Sequence, residues 1–206
     1  MTDMKKILIF LLGLGIGIAG TVAYYSPIQP IEQTPVTIEQ SSDTPNSITE
    51  VYFSPSKDCE NGLIKLIQSA TKTIDASVYS INNTNIVNAL KQAHKRGVKI
   101  RILTDRTQAS GKSSKVKELR AAGIDIKVHS KHKIEHNKFG IYDGKKASIG
   151  SYNWTNPASD KNSENCVFFF EDPKVVNAYK DRFEYLWKVN TKESIRRMVW
   201  KEKGIR

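Results

Sequence analysis

The twenty residues from His136 to Thr155, HNKFGIYDGKKASIGSYNWT, constrain this chain more than any other stretch. Their first half alternates as a β-strand does, so His136, Lys138, Gly140 and Tyr142 share one face and Asn137, Phe139 and Ile141 share the other, apolar one. At about 3.3 Å of rise per residue His136 and Lys138 stand roughly 7 Å apart, a spacing that admits a phosphate between a nucleophilic nitrogen and an ammonium. Asp143-Gly144 is a strong two-residue hairpin signal. With those two residues as the loop, Gly140 pairs with Ala147, Lys138 with Ile149 and His136 with Ser151. Ser151 and Asn153 then join the face that carries His136 and Lys138. A one-residue slip would send them to the other side.

The spacing His136-x-Lys138, four residues, Asp143, six residues, Gly150-Ser151-x-Asn153 resembles the motif of the phospholipase D superfamily at every specified position. Lys161-Asn162-Ser163-Glu164-Asn165 is similar to the stretch that follows it in small bacterial members with a single motif, which include an endonuclease and secreted phospholipase D-like and cardiolipin hydrolase-like proteins. The resemblance runs from about Val51 to Trp187. It implies an α/β fold in which a mixed, largely parallel β-sheet is sandwiched between helices in one catalytic domain. It also implies metal-independent hydrolysis of phosphodiesters with no cofactor. The nucleophile is expected to be His136, forming a phosphohistidine, with Lys138 and Asn153 neutralising the phosphoryl oxygens. Ser151 is a supporting donor and Glu164 the carboxylate that orients an imidazole. Asp143 belongs to the catalytic motif, but its place at the turn gives it a structural part, through bonds to the hairpin backbone.

One histidine cannot carry the phosphate and protonate the leaving group in the same step, and no second H-x-K occurs. Single-motif relatives place two copies across a twofold axis, so the resemblance implies a homodimer with one shared site. His129, His132 and His136 suggest metal ligands only through the helical spacing of the last two. That region reads as loop then strand and lacks an H-E-x-x-H pattern, so no metal is expected.

The rest of the chain divides by composition. Lys5-Lys6 precede nineteen uncharged residues, Ile7 to Tyr25, so residues 1–25 read as a signal peptide or an N-terminal membrane anchor and the remainder as exported, whether secreted, periplasmic or anchored. Gly15, Gly17 and Gly20 match a dinucleotide fingerprint by letter, but no strand precedes them. Residues 26–47, rich in Pro, Gln, Thr and Ser, read as a disordered linker. The catalytic domain is expected over 48–190 and a basic tail over 191–206. Strands are expected over 48–54, 73–80, 98–104, 124–128 and 165–171, and helices over 61–71, 84–96, from Ser113 or Ser114 to Gly123, and from Pro173.

The net charge is +11, and residues 1–47 carry Lys5 and Lys6 against four carboxylates, which leaves +13 on the remainder. That charge favours polyanions, either nucleic acid or an anionic membrane. The expected function is phosphodiester hydrolysis with phospholipid ranked first as substrate; the alternatives are nonspecific DNA or RNA cleavage at the same site and, further off because pure binding does not need His136, non-catalytic binding of lipid or nucleic acid. Export permits a disulfide between Cys59 and Cys166, the only cysteines, although a buried thiol suits Cys166 equally.

Overall fold

The strands of this chain are apolar on both faces, which demands helices on both sides. The computed structural model describes residues 48–190. In chain order the elements are β1 (Ile48–Ser54), α1 (Asp58–Ser69), β2 (Thr73–Val78), α2 (Thr84–Lys95), β3 (Lys99–Thr104), α3 (Arg106–Ser110), α4 (Val116–Ala121), β4 (Asp125–Val128), β5 (Lys138–Tyr142), β6 (Lys146–Gly150), α5 (Asn156–Asp160), β7 (Glu164–Phe170) and α6 (Pro173–Val189). The signal or anchor segment, the linker and the basic tail lie outside the described residues. Among the described residues no helix is long and apolar enough to cross a membrane.

The seven strands form one sheet in the order β1-β7-β6-β5-β2-β3-β4. It is mixed, as expected, but not largely parallel. Parallel pairing is confined to β2-β3-β4, whereas β1-β7, β7-β6, β6-β5 and β5-β2 are antiparallel. The crossovers through α2 and through α3 and α4 set neighbouring strands side by side in parallel, whereas α1 joins β1 to β2, which lie four places apart, and the places between are filled by antiparallel strands; β5 follows β4 through a loop and enters on the far side of β2.

Leu63, Ile67, Ile86 and Leu90, from α1 and α2, bury one face of the sheet with Ile74, Ile100, Tyr142 and Phe168. On the other face Val176, Phe183 and Leu186 of α6 cover Leu103, Phe139, Ile141 and Ala147. Tyr142 thus lies in core, so the face it shares with Lys138 is apolar away from the site, contrary to expectation. Arg101 fastens α6 to the strands: its guanidinium bonds Asp75 at 2.6 and 2.9 Å and Glu184 at 2.5 Å, and it lies over the Phe183 ring. Asp172 caps α6 by accepting from Val175 N, and Pro173 follows in the first turn.

Several boundaries differ from the expected ones. α1 begins three residues early, at Asp58, and α4 begins at Val116 rather than Ser113 or Ser114. The short helices α3 and α5 were not foreseen; Asp105 and Thr155 cap them with their side chains.

The hairpin register is one residue away from the expected one: Tyr142 pairs with Lys146, Ile141 with Ala147, Gly140 with Ser148 and Phe139 with Ile149. Asp143 and Gly144 do turn the chain, with φ of 53° and 65°, and Lys145 N donates to Tyr142 O at 3.0 Å. Lys145 is then an extra residue, and its carbonyl accepts from Glu171 N, beyond the end of β7.

Cys59 of α1 and Cys166 of β7 form a disulfide across the α1 face, with Cα atoms 5.9 Å apart. A second tie on this face centres on the buried Glu60. It accepts from Lys57 Nζ at 3.2 Å, Asn83 Nδ2 at 3.0 Å and Asn85 Nδ2 at 2.7 Å. Asn83 Oδ1 in turn caps α2.

Candidate active site

The sheet topology decides which residues meet. β2, β3 and β4 run in parallel, so their C-terminal ends lie at one end of the sheet. β5 opposes β2, β6 opposes β5 and β7 opposes β6, so β5 begins, β6 finishes and β7 begins at that same end. Tyr79, Asp105 and His129 follow β2, β3 and β4; His136 and Lys138 open β5; Ser151 and Asn153 follow β6; and Glu164 opens β7. The carboxyl ends of parallel strands are where α/β sheets hold ligands, because the crossovers leave an open crevice there.

His136 is exposed and precedes the strand. Its imidazole makes no hydrogen bond among the described residues, and its ring rests on Tyr79, with centroids 4.7 Å apart and planes tilted by 59°. The backbone beside it is fixed, since Tyr79 N donates to Asn137 O at 2.9 Å. Lys138 is half-buried. Its Nζ donates to His136 O at 2.6 Å and lies 4.9 Å from the Tyr79 ring centroid. Burial pushes the Lys138 pKa below its ordinary value, and the Glu164 and Glu135 carboxylates oppose that fall. Tyr79 therefore supports both expected reacting residues, and its hydroxyl accepts from Gln108 Nε2 at 3.0 Å. No sequence pattern marks it, because it meets them only through the β2–β5 pairing.

Ser151 and Glu164 are brought together: Ser151 Oγ donates to Glu164 Oε2 at 2.5 Å and accepts from Asn165 N at 3.1 Å. The shifted register would have turned Ser151 away, but β6 stops at Gly150, whose φ of 151° interrupts the alternation. A Cβ there would lie 2.3 Å from Asn165 O, so the close approach of β6 to β7 admits only glycine. Within the chain Glu164 bonds Ser151 and Asn162, not His136. Asn153 lies between Tyr152 and Trp154, which turn into the α1-face core. Its Oδ1 is buried without a hydrogen-bond partner among the described residues.

Asp143 is not at this end of the sheet. It lies beyond the other end of β5, about 16 Å from Lys138 at 3.3 Å per residue. Nor does its carboxylate bond the hairpin. It accepts from Thr71 N, Lys72 N and Thr73 N at 2.9, 2.7 and 2.9 Å and from Thr71 Oγ1 at 3.0 Å, where the chain passes from α1 into the start of β2. Burial alone would raise its pKa, but these donors outweigh burial and hold it below the ordinary value.

A buried polar row backs the site. His129 Nδ1 accepts from Arg106 N at 3.2 Å, and its Nε2 lies 2.9 Å from His132 O. That pattern puts the proton on Nε2, so the 3.4 Å contact of Nδ1 with Asp105 Oδ2 is not an ion pair. Asp105 Oδ2 accepts from Glu135 N at 3.2 Å. Glu135, 2% exposed, accepts from Ser77 Oγ at 3.0 Å and from the Asn137 amide side chain.

Comparison with known proteins adds to this geometry. Residues 63–187 match the family described as "Cardiolipin synthase, PLD-like domain". The chain is 34% identical over 176 residues to a phospholipase D of Rickettsia prowazekii, covering 82% of this chain and 85% of that protein. It is 37% identical over 119 residues to a mitochondrial cardiolipin hydrolase of Chlamydomonas reinhardtii, spanning about half of it, 53%. Among solved structures it resembles Nuc, a phospholipase D family member from Salmonella typhimurium, with a TM-score of 0.68 and 29% identity over 71% of this chain and 97% of that one.

Proposed function

The chain belongs to the phospholipase D superfamily, and from that premise we propose that it is a metal-independent phosphodiesterase that hydrolyses phospholipids through a phosphohistidine at His136. The observation that carries this reading is the exposed, unbonded imidazole of His136 beside Lys138, both resting on Tyr79. An imidazole that makes no hydrogen bond keeps a nitrogen lone pair for attack. In the first step a nitrogen of His136 bonds phosphorus, and the bond from phosphorus to the leaving alkoxide breaks. Lys138 and Asn153 stabilise the charge on the phosphoryl oxygens. The alkoxide takes a proton from a second imidazole. Water then attacks phosphorus and gives its proton back to that imidazole, the N–P bond breaks, and phosphatidate leaves. The second imidazole is the partner subunit's His136, in a homodimer with one shared site. Glu164, held by Ser151, faces that partner group and takes the orienting part.

Phospholipid is preferred because the phospholipase D relative matches across most of both chains. Apolar side chains also stand exposed near this end of the sheet: Ile134, 51% exposed, precedes His136 by two residues, and Phe53, 66% exposed, pairs with Asn165 beside Glu164. Export agrees with the Cys59–Cys166 disulfide. Endonuclease activity is the second reading. The likeness to Nuc over 97% of its length favours it, as do the exposed cationic residues Lys131 and Lys133 ahead of His136.

The test offers full-length protein and its His136→Ala variant phosphatidylcholine or cardiolipin vesicles, and single- and double-stranded DNA, all with excess EDTA. Lipid turnover lost in the variant is the expected result. DNA cleavage lost in the variant, without lipid turnover, would transfer the assignment to a nuclease.

A further inference from the structure

Glu135 is a buried carboxylate one residue before the proposed nucleophile, and the mechanism above does not use it. A buried carboxylate is costly unless its oxygens are bonded and its charge is answered. Its Oε1 accepts from Ser77 Oγ at 3.0 Å, from Asn137 N at 3.4 Å, and from Asn137 Nδ2. Its own N–H is held by Asp105 Oδ2 at 3.2 Å. It makes no ion pair within 4 Å among the described residues, yet its charge is felt at Lys138. The residues on both sides of His136 are therefore tied down: Glu135 to β2 and Asp105, Asn137 to Glu135 and Tyr79. The exposed imidazole between them stands on a fixed backbone.

We propose that Glu135 is the positioning residue of this site, pinning the backbone on both sides of His136 and setting a fixed negative charge behind Lys138. The inference rests on reading His136 and Lys138 as the reacting pair. The groups facing Lys138 are few. Glu135 and His136 come from its own segment, Glu164 from the start of β7, and the Tyr79 ring from the end of β2. Glu164 is half-exposed and shares its charge with Ser151 and Asn162. Glu164 acts on Lys138 more strongly than Glu135 does, and Glu135 adds to it from a buried position that Ser77, Asn137 and Asp105 hold in place.

The test uses the full-length protein and Glu135→Gln, which keeps an oxygen for Ser77 and Asn137 and removes the charge. Lys138 is titrated directly by NMR of its labelled side chain, beside kcat and KM on phospholipid vesicles across pH. In Glu135→Gln the Lys138 titration moves to lower pH. The basic limb of the kcat profile moves down by the same interval, and kcat falls roughly tenfold with KM nearly unchanged. An unmoved Lys138 titration in folded Glu135→Gln overturns the proposal. If that variant does not fold, Glu135→Asp decides: it keeps the charge, so a Lys138 titration like that of wild type supports the proposal and a lowered one overturns it. Should no phospholipid be turned over while Lys138 still shifts in Glu135→Gln, the charge behind Lys138 stands and the substrate reading fails.

Discussion

Replacing Asp143 separates two roles that the motif alone cannot. The residue belongs to the block that holds His136 and Lys138, yet its carboxylate sits at the opposite end of β5 and holds the passage from α1 into the start of β2 through three N–H groups and a hydroxyl. Asp143→Asn is the cleanest perturbation. At φ 53° asparagine is tolerated, whereas alanine would add left-handed strain of about 1 kcal/mol. One oxygen remains for Lys72 N and Thr73 N. The new amide NH₂ then faces Thr71 N–H, donor against donor, while the Thr71 hydroxyl can turn to accept. The loss is one charge-assisted bond and a weakening of two more, each about 1.5–3 kcal/mol when fully buried. Thr71 is exposed and Asp143 only half-buried, so water recovers part of it. The expected net cost is about 2 kcal/mol, which moves a urea midpoint down by about 1 M at a slope near 2 kcal/mol/M.

The linkage has a definite sign. The folded pKa of Asp143 is depressed below its ordinary 3.8. Its stabilisation is therefore complete above that value and lost as pH falls through the folded pKa. The gap between wild type and Asp143→Asn should close as the solution is acidified below about pH 4. Urea unfolding at pH 7 and at pH 3, with kcat measured at pH 7 on folded protein, checks all of this. A lower midpoint with kcat within about twofold is expected. An unchanged midpoint with kcat reduced by tenfold or more would refute the reasoning and put Asp143 into the chemistry.

Glu60 predicts a second acid-sensitive tie. Burial raises its pKa, but bonds from Asn85, Ser159, Lys57 and Asn83 outweigh that and bring it from 4.5 to about 2. About 3 kcal/mol of stability, complete above pH 4.5, is therefore lost between that pH and 2, and Glu60→Gln should flatten this part of a stability–pH curve. The disulfide between Cys59 and Cys166 closes a loop of 107 residues, so Cys59→Ala with Cys166→Ala should cost about 2–5 kcal/mol, read from urea unfolding with and without reductant. Subunit mixing tests the shared site: after exchange with an equal amount of His136→Ala, activity per total protein should be about a quarter of that of pure wild type, because only one dimer in four keeps both histidines, whereas independent sites would give about half.

Much of the fold was legible because its cause is local. β1, β2, β3, β4 and β7 read from their alternation or apolar runs, and α2 from its Asn83 cap and its Gly97 end, at φ 94°. What misled was non-local. The motif hairpin has a tight Asp-Gly turn, and that turn predicts two-residue pairing. The structure admits one residue more, Lys145, whose carbonyl accepts from Glu171 N, a partner that lies outside the hairpin. Likewise the parallel sheet suggested by alternating strands and helices holds only for β2, β3 and β4, because β5, β6 and β7 enter between β1 and β2 as antiparallel strands.

The candidate site divides along the same line. His136, Lys138, Ser151, Asn153 and Glu164 were legible because the spacing that carries them is fixed along the chain. Tyr79 and Glu135 were not. Tyr79 matters only because β2, which it follows, pairs with β5, and Glu135 only because Ser77 of β2 donates to its carboxylate. Asp143 shows the converse: sequence proximity to the reacting residues is not spatial proximity. A β-strand of five residues moves the chain from one end of the sheet to the other. A motif that spans a hairpin therefore contains residues of both ends, and only those at the start of β5 and the finish of β6 can touch one substrate. The same rule explains why Gly150 matters as much as the polar residues. Gly150, at φ 151° and close against Asn165 O, is where the chain leaves the strand just before Ser151, whose hydroxyl bonds Glu164.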